Sequence, residues 1–183
     1  MAFDRPFGVV LIRSGSEIGE LADPYLVGTA VRIVSVQTFD DGGMDIQVQG
    51  ERRFRIRELD ESGSYLIGKV EPVVEHPMEG SDRADDLMVQ ARAAFETLIQ
   101  RLFSRQEISV QVVFPTDPVV LSFTIANLLP MENLDKQKLL ETTDTLERVE
   151  DLLPILNHQI AEAKQPSYYP INSDDLREWI TPN

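Results

Sequence analysis

The chain has 183 residues, 42% of them hydrophobic, enough for one domain or two small ones around an ordinary buried core. It carries 31 acidic and 17 basic residues, a formal net charge of −14, which disfavours nucleic acid and anionic membrane surfaces and favours basic or neutral partners. There is no cysteine, so disulfides, zinc–thiolate sites, iron–sulfur clusters and thiol nucleophiles are excluded.

The opening residues Met1-Ala2-Phe3-Asp4-Arg5 lead straight into a short apolar run, without the segments of a secretory signal. No stretch approaches the roughly 20 apolar residues of a membrane-spanning helix, so a cytoplasmic location and no membrane partner are expected. The front, residues 5–76, reads as strands. Phe7–Ile12 is the first, closed by Ser14-Gly15-Ser16, and residues 13–26 read as a loop. Thr29–Thr38, rich in Val and Ile, is the second. Asp40-Asp41-Gly42-Gly43 follows as a hairpin turn, because Asp and Gly tolerate the positive φ that such turns require.

Alternation then sets Met44, Ile46 and Val48 on one face and Asp45, Gln47 and Gln49 on the other. It breaks at Gly50-Glu51-Arg52 and resumes with Phe54 and Ile56 apolar and Arg53, Arg55 and Arg57 basic. Treating Gly50-Glu51-Arg52 as a three-residue loop pairs Val48 with Phe54 and Ile46 with Ile56, which keeps one apolar face. That register also puts Asp45 opposite Arg57 and Gln47 opposite Arg55. Tyr65–Val74 is a further strand whose end lies on a sheet edge, since Pro72 cannot donate to a ladder.

The back, residues 82–164, reads as helices. Leu87, Met88, Ala91, Phe95, Leu98, Ile99, Leu102 and Phe103 recur at spacings of three and four, with Asp82, Asp85 and Asp86 at the favourable N-terminal end. Residues 108–113 alternate like a strand but sit among helices, and both readings stay open. Asp117-Pro118 opens a helix, with Asp as N-cap and Pro in the first turn, and Pro130 stops it. A short helix covers Leu134–Glu141. Asp144-Thr145-Leu146-Glu147 has capping-box spacing and starts a helix with Val149, Leu152, Leu153, Leu156 and Ile160 on one side, in which Pro154 predicts a kink. Residues 165–183 form a tail with Tyr168, Tyr169 and Trp179, in which Ser173–Ile180 has the pattern of one or two helical turns.

Nothing in this pattern assembles covalent or metal chemistry. The phosphate-cradling loop needs Gly, four residues, Gly, Lys and Ser or Thr, and no segment matches it. His76 and His158 lack a neighbouring nucleophile motif. Lys136, Lys138 and Lys164 lie on polar helix faces, and Lys69 reads as a cross-strand partner. The acidic cluster at Asp40–Asp45 lacks the ligand spacing of a calcium loop and reads as the hairpin turn. A binding protein with no catalytic residue, no cofactor and no metal is therefore expected. The basic stripe Arg53, Arg55 and Arg57 is the candidate site for an acidic partner. It also reads as a solvated strand face, and the lack of interleaved aromatic residues to stack bases argues against nucleic acid as a partner.

Several segments resemble the N-terminal, substrate-binding domain of Lon proteases. They are Pro6–Ile12, the Gly-Ser-Glu-Ile-Gly of residues 15–19, Val27–Ile33 and Gln49–Ile56, followed by Leu128-Leu129-Pro130, Asp135–Glu141 and Leu146–Val149. The likeness covers residues 5–163 and rests on order and spacing together. It implies an α+β fold, with a PUA-like β-barrel followed by a helical subdomain, and a role in binding unfolded or specific protein partners. In full Lon proteases an ATPase and a Ser–Lys protease module follow, and neither motif set occurs here, so a stand-alone domain is expected. The resemblance begins after the family's first strand and helix. The barrel is therefore expected to lack roughly 35–45 residues and to expose a strand edge open to self-association. A partner chain, or the tail with Tyr168, Tyr169 and Trp179, is the expected cover. A PUA-like module binding RNA or a small acidic ligand through Arg53, Arg55 and Arg57 is the alternative function, and a shortened remnant without activity is a third.

Overall fold

The computed structural model describes residues 5–16, 22–63, 65–76, 78, 80–103, 110–112, 114–163 and 180–182. It divides into two compact units, Met1–Val74 and Glu75–Asn183. The first is built from β1 (Phe7–Val9), β2 (Ile12–Ser14), β3 (Asp23–Pro24), β4 (Val27–Thr38), β5 (Met44–Asp60) and β6 (Ile67–Pro72). The second contains α1 (Asp82–Phe103), β7 (Val110–Val112), α2 (Pro118–Leu128), α3 (Asn133–Glu141), α4 (Thr145–Glu162) and β8 (Ile180–Pro182).

The sheet unit is an open antiparallel sheet of order β1-β4-β5-β6, with β2 and β3 paired beside each other. No closed barrel is formed among the described residues. The expected turn at Asp40–Gly43 joins β4 to β5. Gly42 takes φ +86°, its N–H bonds Phe39 O at 3.0 Å, and Asp41 Oδ1 accepts from Gly43 N at 2.9 Å. β6 lies at an edge, as Pro72 required.

The inferred loop at Gly50-Glu51-Arg52 is corrected. β5 runs unbroken for 17 residues, and Val48 and Ile46 pair with Ile33 and Val36 of β4 instead of with Phe54 and Ile56. Asp45 and Gln47 likewise face Gln37 and Ser35, not Arg57 and Arg55. Val31 pairs with Gly50 and Ala30 with Arg52, so Glu51 is an extra residue on β5. Such a bulge shifts the alternation by one position, which in sequence looks the same as a short loop. A second bulge at Val34 shifts β4 in turn.

In the helical unit the three-and-four spacing of α1 buries Ala84, Met88, Ala91, Phe95, Leu98 and Ile99. Most of these join Leu121, Ile125, Leu128 and Leu129 of the second helical segment and Val149, Leu152 and Leu156 of α4 in one core. Each fully buried Leu, Ile or Phe contributes about 1.5–3 kcal/mol. The caps form where the sequence put them. Asp117 Oδ1 accepts from Val119 N and Val120 N, and Asp144 Oδ1 from Leu146 N and Glu147 N. α4 runs on through Pro154. The ambiguous segment 108–113 contains strand β7, paired antiparallel with β8.

Arg148 of α4 is fully buried. Its guanidinium donates to Ser122 Oγ (2.9 Å), Thr142 O (2.5 Å), Thr145 Oγ1 (3.1 Å) and Glu75 Oε2 (3.2 Å), and it stacks 4.0 Å from the Phe123 ring centroid. Burial pulls its pKa down to about 10, which leaves it cationic at neutral pH. Arg148→Ala strands four acceptors, and urea unfolding followed by far-UV circular dichroism should register a loss of about 3–5 kcal/mol. Gly28→Ala tests the sheet unit. An added Cβ would sit 2.4 Å from Val9 O and 2.9 Å from Phe54 Cζ, so a destabilisation of about 1–3 kcal/mol is expected in the same assay.

Candidate functional site

The open sheet carries an apolar groove of about 420 Å³. Phe54 and Ile56 of β5, both buried, contribute to it, together with Phe7 and Gly8 of edge strand β1 and Gly68 and Val70 of edge strand β6. Arg52, Arg53 and Glu71 supply the charged part of its lining. The floor depends on two glycines. A Cβ on Gly8 would lie 2.8 Å from Phe54 Cζ, and Gly28 is similarly close, so the phenyl ring fits there because neither residue has a side chain.

Beyond the groove, β4 and β5 continue as a two-stranded ribbon. β1 pairs with β4 as far as Val31, and β6 pairs with β5 no earlier than Phe54, so among the described residues, positions 34–48 have no ladder except each other. The pairs Val36↔Ile46 and Thr38↔Met44 put Val36, Met44 and Ile46 on one face, and Val48 follows on the same side of β5. These side chains are 37%, 61%, 45% and 41% exposed, respectively. Alternation had marked this face as apolar. What it could not show was how exposed these side chains are.

The structure separates the three predicted arginines. Arg53 is buried opposite Thr29, Arg55 is half-buried between Val27 and Glu71, and Arg57 is exposed in an ion pair with Glu71 Oε1 at 2.5 Å. The hydrogen bond from Arg57 holds the Glu71 carboxyl below its usual range, and Glu71 raises the Arg57 pKa in return. Part of the stripe is therefore engaged within the sheet. Tyr168, Tyr169 and Trp179 lie outside the described residues, as do residues 173–179 of the expected tail helix and Lys164. Lys69 bonds its cross-strand partner Glu58 at 3.0 Å. His158 is exposed, and the exposed His76 ring meets Thr143 Oγ1 through Nδ1 at 3.1 Å. Among the described residues there is no group of three or more His, Cys, Asp or Glu suited to a metal ion. Nor is any helix there long and apolar enough to cross a membrane.

The family profile described as the ATP-dependent protease La (LON) substrate-binding domain matches residues 1–158. The Lon protease of Syntrophus aciditrophicus (strain SB) is 32% identical over 165 residues, 87% of this chain and 21% of that protein. The Lon protease of Escherichia coli (strain K12) is 31% identical over 140 residues, 75% of this chain and 18% of that one. The chain thus spans about one fifth of the length of these relatives. Two solved structures share its fold at 24% identity. The N-terminal domain of a Mycobacterium avium complex Lon protease has a TM-score of 0.59, covering 84% of this chain and 91% of that one. A Lon N-terminal domain protein from Xanthomonas campestris has a TM-score of 0.56, covering 81% and 75%.

The Arg57–Glu71 pair has a pH signature. Because the folded-state pKa of Glu71 is depressed below 4.5, its contribution is present above that value and is lost as pH falls through the folded-state pKa. Glu71→Gln removes it at every pH. The urea midpoints of the two proteins should therefore differ at neutral pH and converge on acidification.

Proposed function

The chain belongs to the family of ATP-dependent protease La (LON) substrate-binding domains, and from that premise we propose that its sheet unit holds unfolded stretches of protein substrate in the apolar groove, as a non-catalytic module. The observation that carries this reading is the groove between two strand edges. It is lined mainly by apolar groups, which suits aliphatic and aromatic side chains. Among the described residues, β1 and β6 each have a neighbouring strand on one flank only. Their outer backbone N–H and C=O groups suit a ligand with the same spacing of donors and acceptors, an extended polypeptide that adds as a strand. The same edges would serve self-association between copies of this chain.

The alternative, an RNA or acidic ligand on Arg53, Arg55 and Arg57, has less support. Arg57 is paired with Glu71, Arg53 is buried, and the net charge is −14. Binding of RNA through such a face would fall steeply with salt.

The test is titration of a fluorescent, permanently unfolded polypeptide at moderate salt, beside a single-stranded RNA. Saturable polypeptide binding without RNA binding is expected. Gly68→Phe addresses the groove directly. A Cβ on Gly68 meets Val70 Cγ1 at 3.4 Å and Ile56 Cγ1 at 3.9 Å, ordinary contacts, so the new ring would project among groove residues. It should weaken polypeptide binding at least about tenfold with unchanged circular dichroism. Binding untouched by this substitution would remove the groove from the mechanism.

A further inference from the structure

We infer that the ribbon formed by residues 34–48 is a second docking surface, selective for polypeptide segments in which basic residues flank aliphatic or aromatic ones. The inference rests on the proposed polypeptide-binding role and adds a rule of selection to it. Its first support is the apolar stripe of Val36, Met44, Ile46 and Val48, exposed on a ribbon that has no third strand among the described residues. The opposite face carries Ser35, Gln37, Asp45 and Gln47, so the ribbon is amphipathic, with one side suited to water and one to a partner.

Charge decides which partner. Between Ile33 and Gln49 there are three carboxylates, Asp40, Asp41 and Asp45, and no Lys, Arg or His. The nearest cation before the ribbon, Arg32, bonds Glu51 Oε1 at 2.6 Å. A segment with Lys or Arg next to its apolar residues would bury the stripe and place its cations near Asp40 and Asp41 at the tip, while Asp45 on the opposite face adds to the negative potential of the ribbon. A second copy of this chain is disfavoured, because it would bring the same three carboxylates and a further net charge of −14. An acidic segment meets the same repulsion.

The experiment uses the full chain and two fluorescent synthetic peptides of equal length and aliphatic content, one with lysines flanking the apolar residues and one with glutamates. At low salt the lysine peptide should bind about tenfold tighter, the combined effect of a few exposed charge contacts, and high salt should erase the difference. Asp40→Asn/Asp41→Asn/Asp45→Asn keeps the side-chain acceptor that closes the turn and should abolish the preference. Ile46→Ser/Val48→Ser, at exposed positions, should weaken the lysine peptide about tenfold with unchanged circular dichroism.

Equal binding of the two peptides, no binding of either, or a preference that survives the triple Asn variant would overturn the inference. So would a dimer that dissociates on the serine substitutions, measured by light scattering, because it would assign the stripe to a second copy. The two readings fail separately. Polypeptide binding that is lost in Gly68→Phe but shows no lysine preference sinks the ribbon and leaves the groove. A lysine preference in a protein whose binding ignores Gly68→Phe does the reverse.

Discussion

The Phe54 ring sets how the strands of the sheet unit approach one another. It belongs to β5, pairs across the ladder with Gly28 of β4 on one flank and Pro72 of β6 on the other, and lies against Gly8 of β1. One side chain thus touches or faces all the other strands of the main sheet. Because Gly8 and Gly28 have no Cβ, β1 and β4 close onto the ring from one side. β6 meets it through a proline, which adds no N–H. The ring also lines the groove, so the contact that organises the sheet is at the same time part of the proposed binding surface.

The two units differ in how much they bury. Among the described residues the buried hydrophobic side chains of the sheet unit are Val27, Val31, Phe54 and Ile56, whereas the helical unit has a continuous core from Met88 to Leu156. Arg148 ties that core to Glu75 and the loop before α4 through a buried cation with four hydrogen-bond acceptors. A buried charge of this kind adds little net stability over an apolar replacement, but it is costly to leave half-paired. The thin core of the sheet unit fits the proposed role of its groove, which would gain apolar contacts from a bound segment.

Much of the architecture was legible from local pattern. The helices were marked by their spacing and by Asp117, Pro118 and Asp144, whose chemistry acts within three residues. The turn at Gly42 was marked in the same way. What sequence left hidden was non-local. A break at Gly50-Glu51-Arg52 reads equally as a loop or a bulge, and the pairing of Val48 with Ile33 decides between them. The difference reaches the site, since the loop reading set Ile46 and Val48 beside Phe54 and Ile56, which instead continue β5 beyond them. Arg148 escaped notice because its partners, Glu75, Ser122, Thr142 and Thr145, lie as far as 73 residues away. The arginine stripe was visible, but Glu71 as the neighbour of Arg57 was not.

The ribbon has a dynamic consequence. A two-stranded ladder is marginal in isolation, and among the described residues, positions 34–48 have no third strand, so they are held mainly by their continuity with the root of the sheet. Its backbone hydrogen bonds should break in local fluctuations that cost far less than unfolding the sheet around Phe54. The bulges at Val34 and Glu51 add twist on opposite strands near the point where the third-strand support ends. A ribbon of this kind can change its curvature at little cost, while the glycine-packed Phe54 ring keeps the rest of the sheet in register.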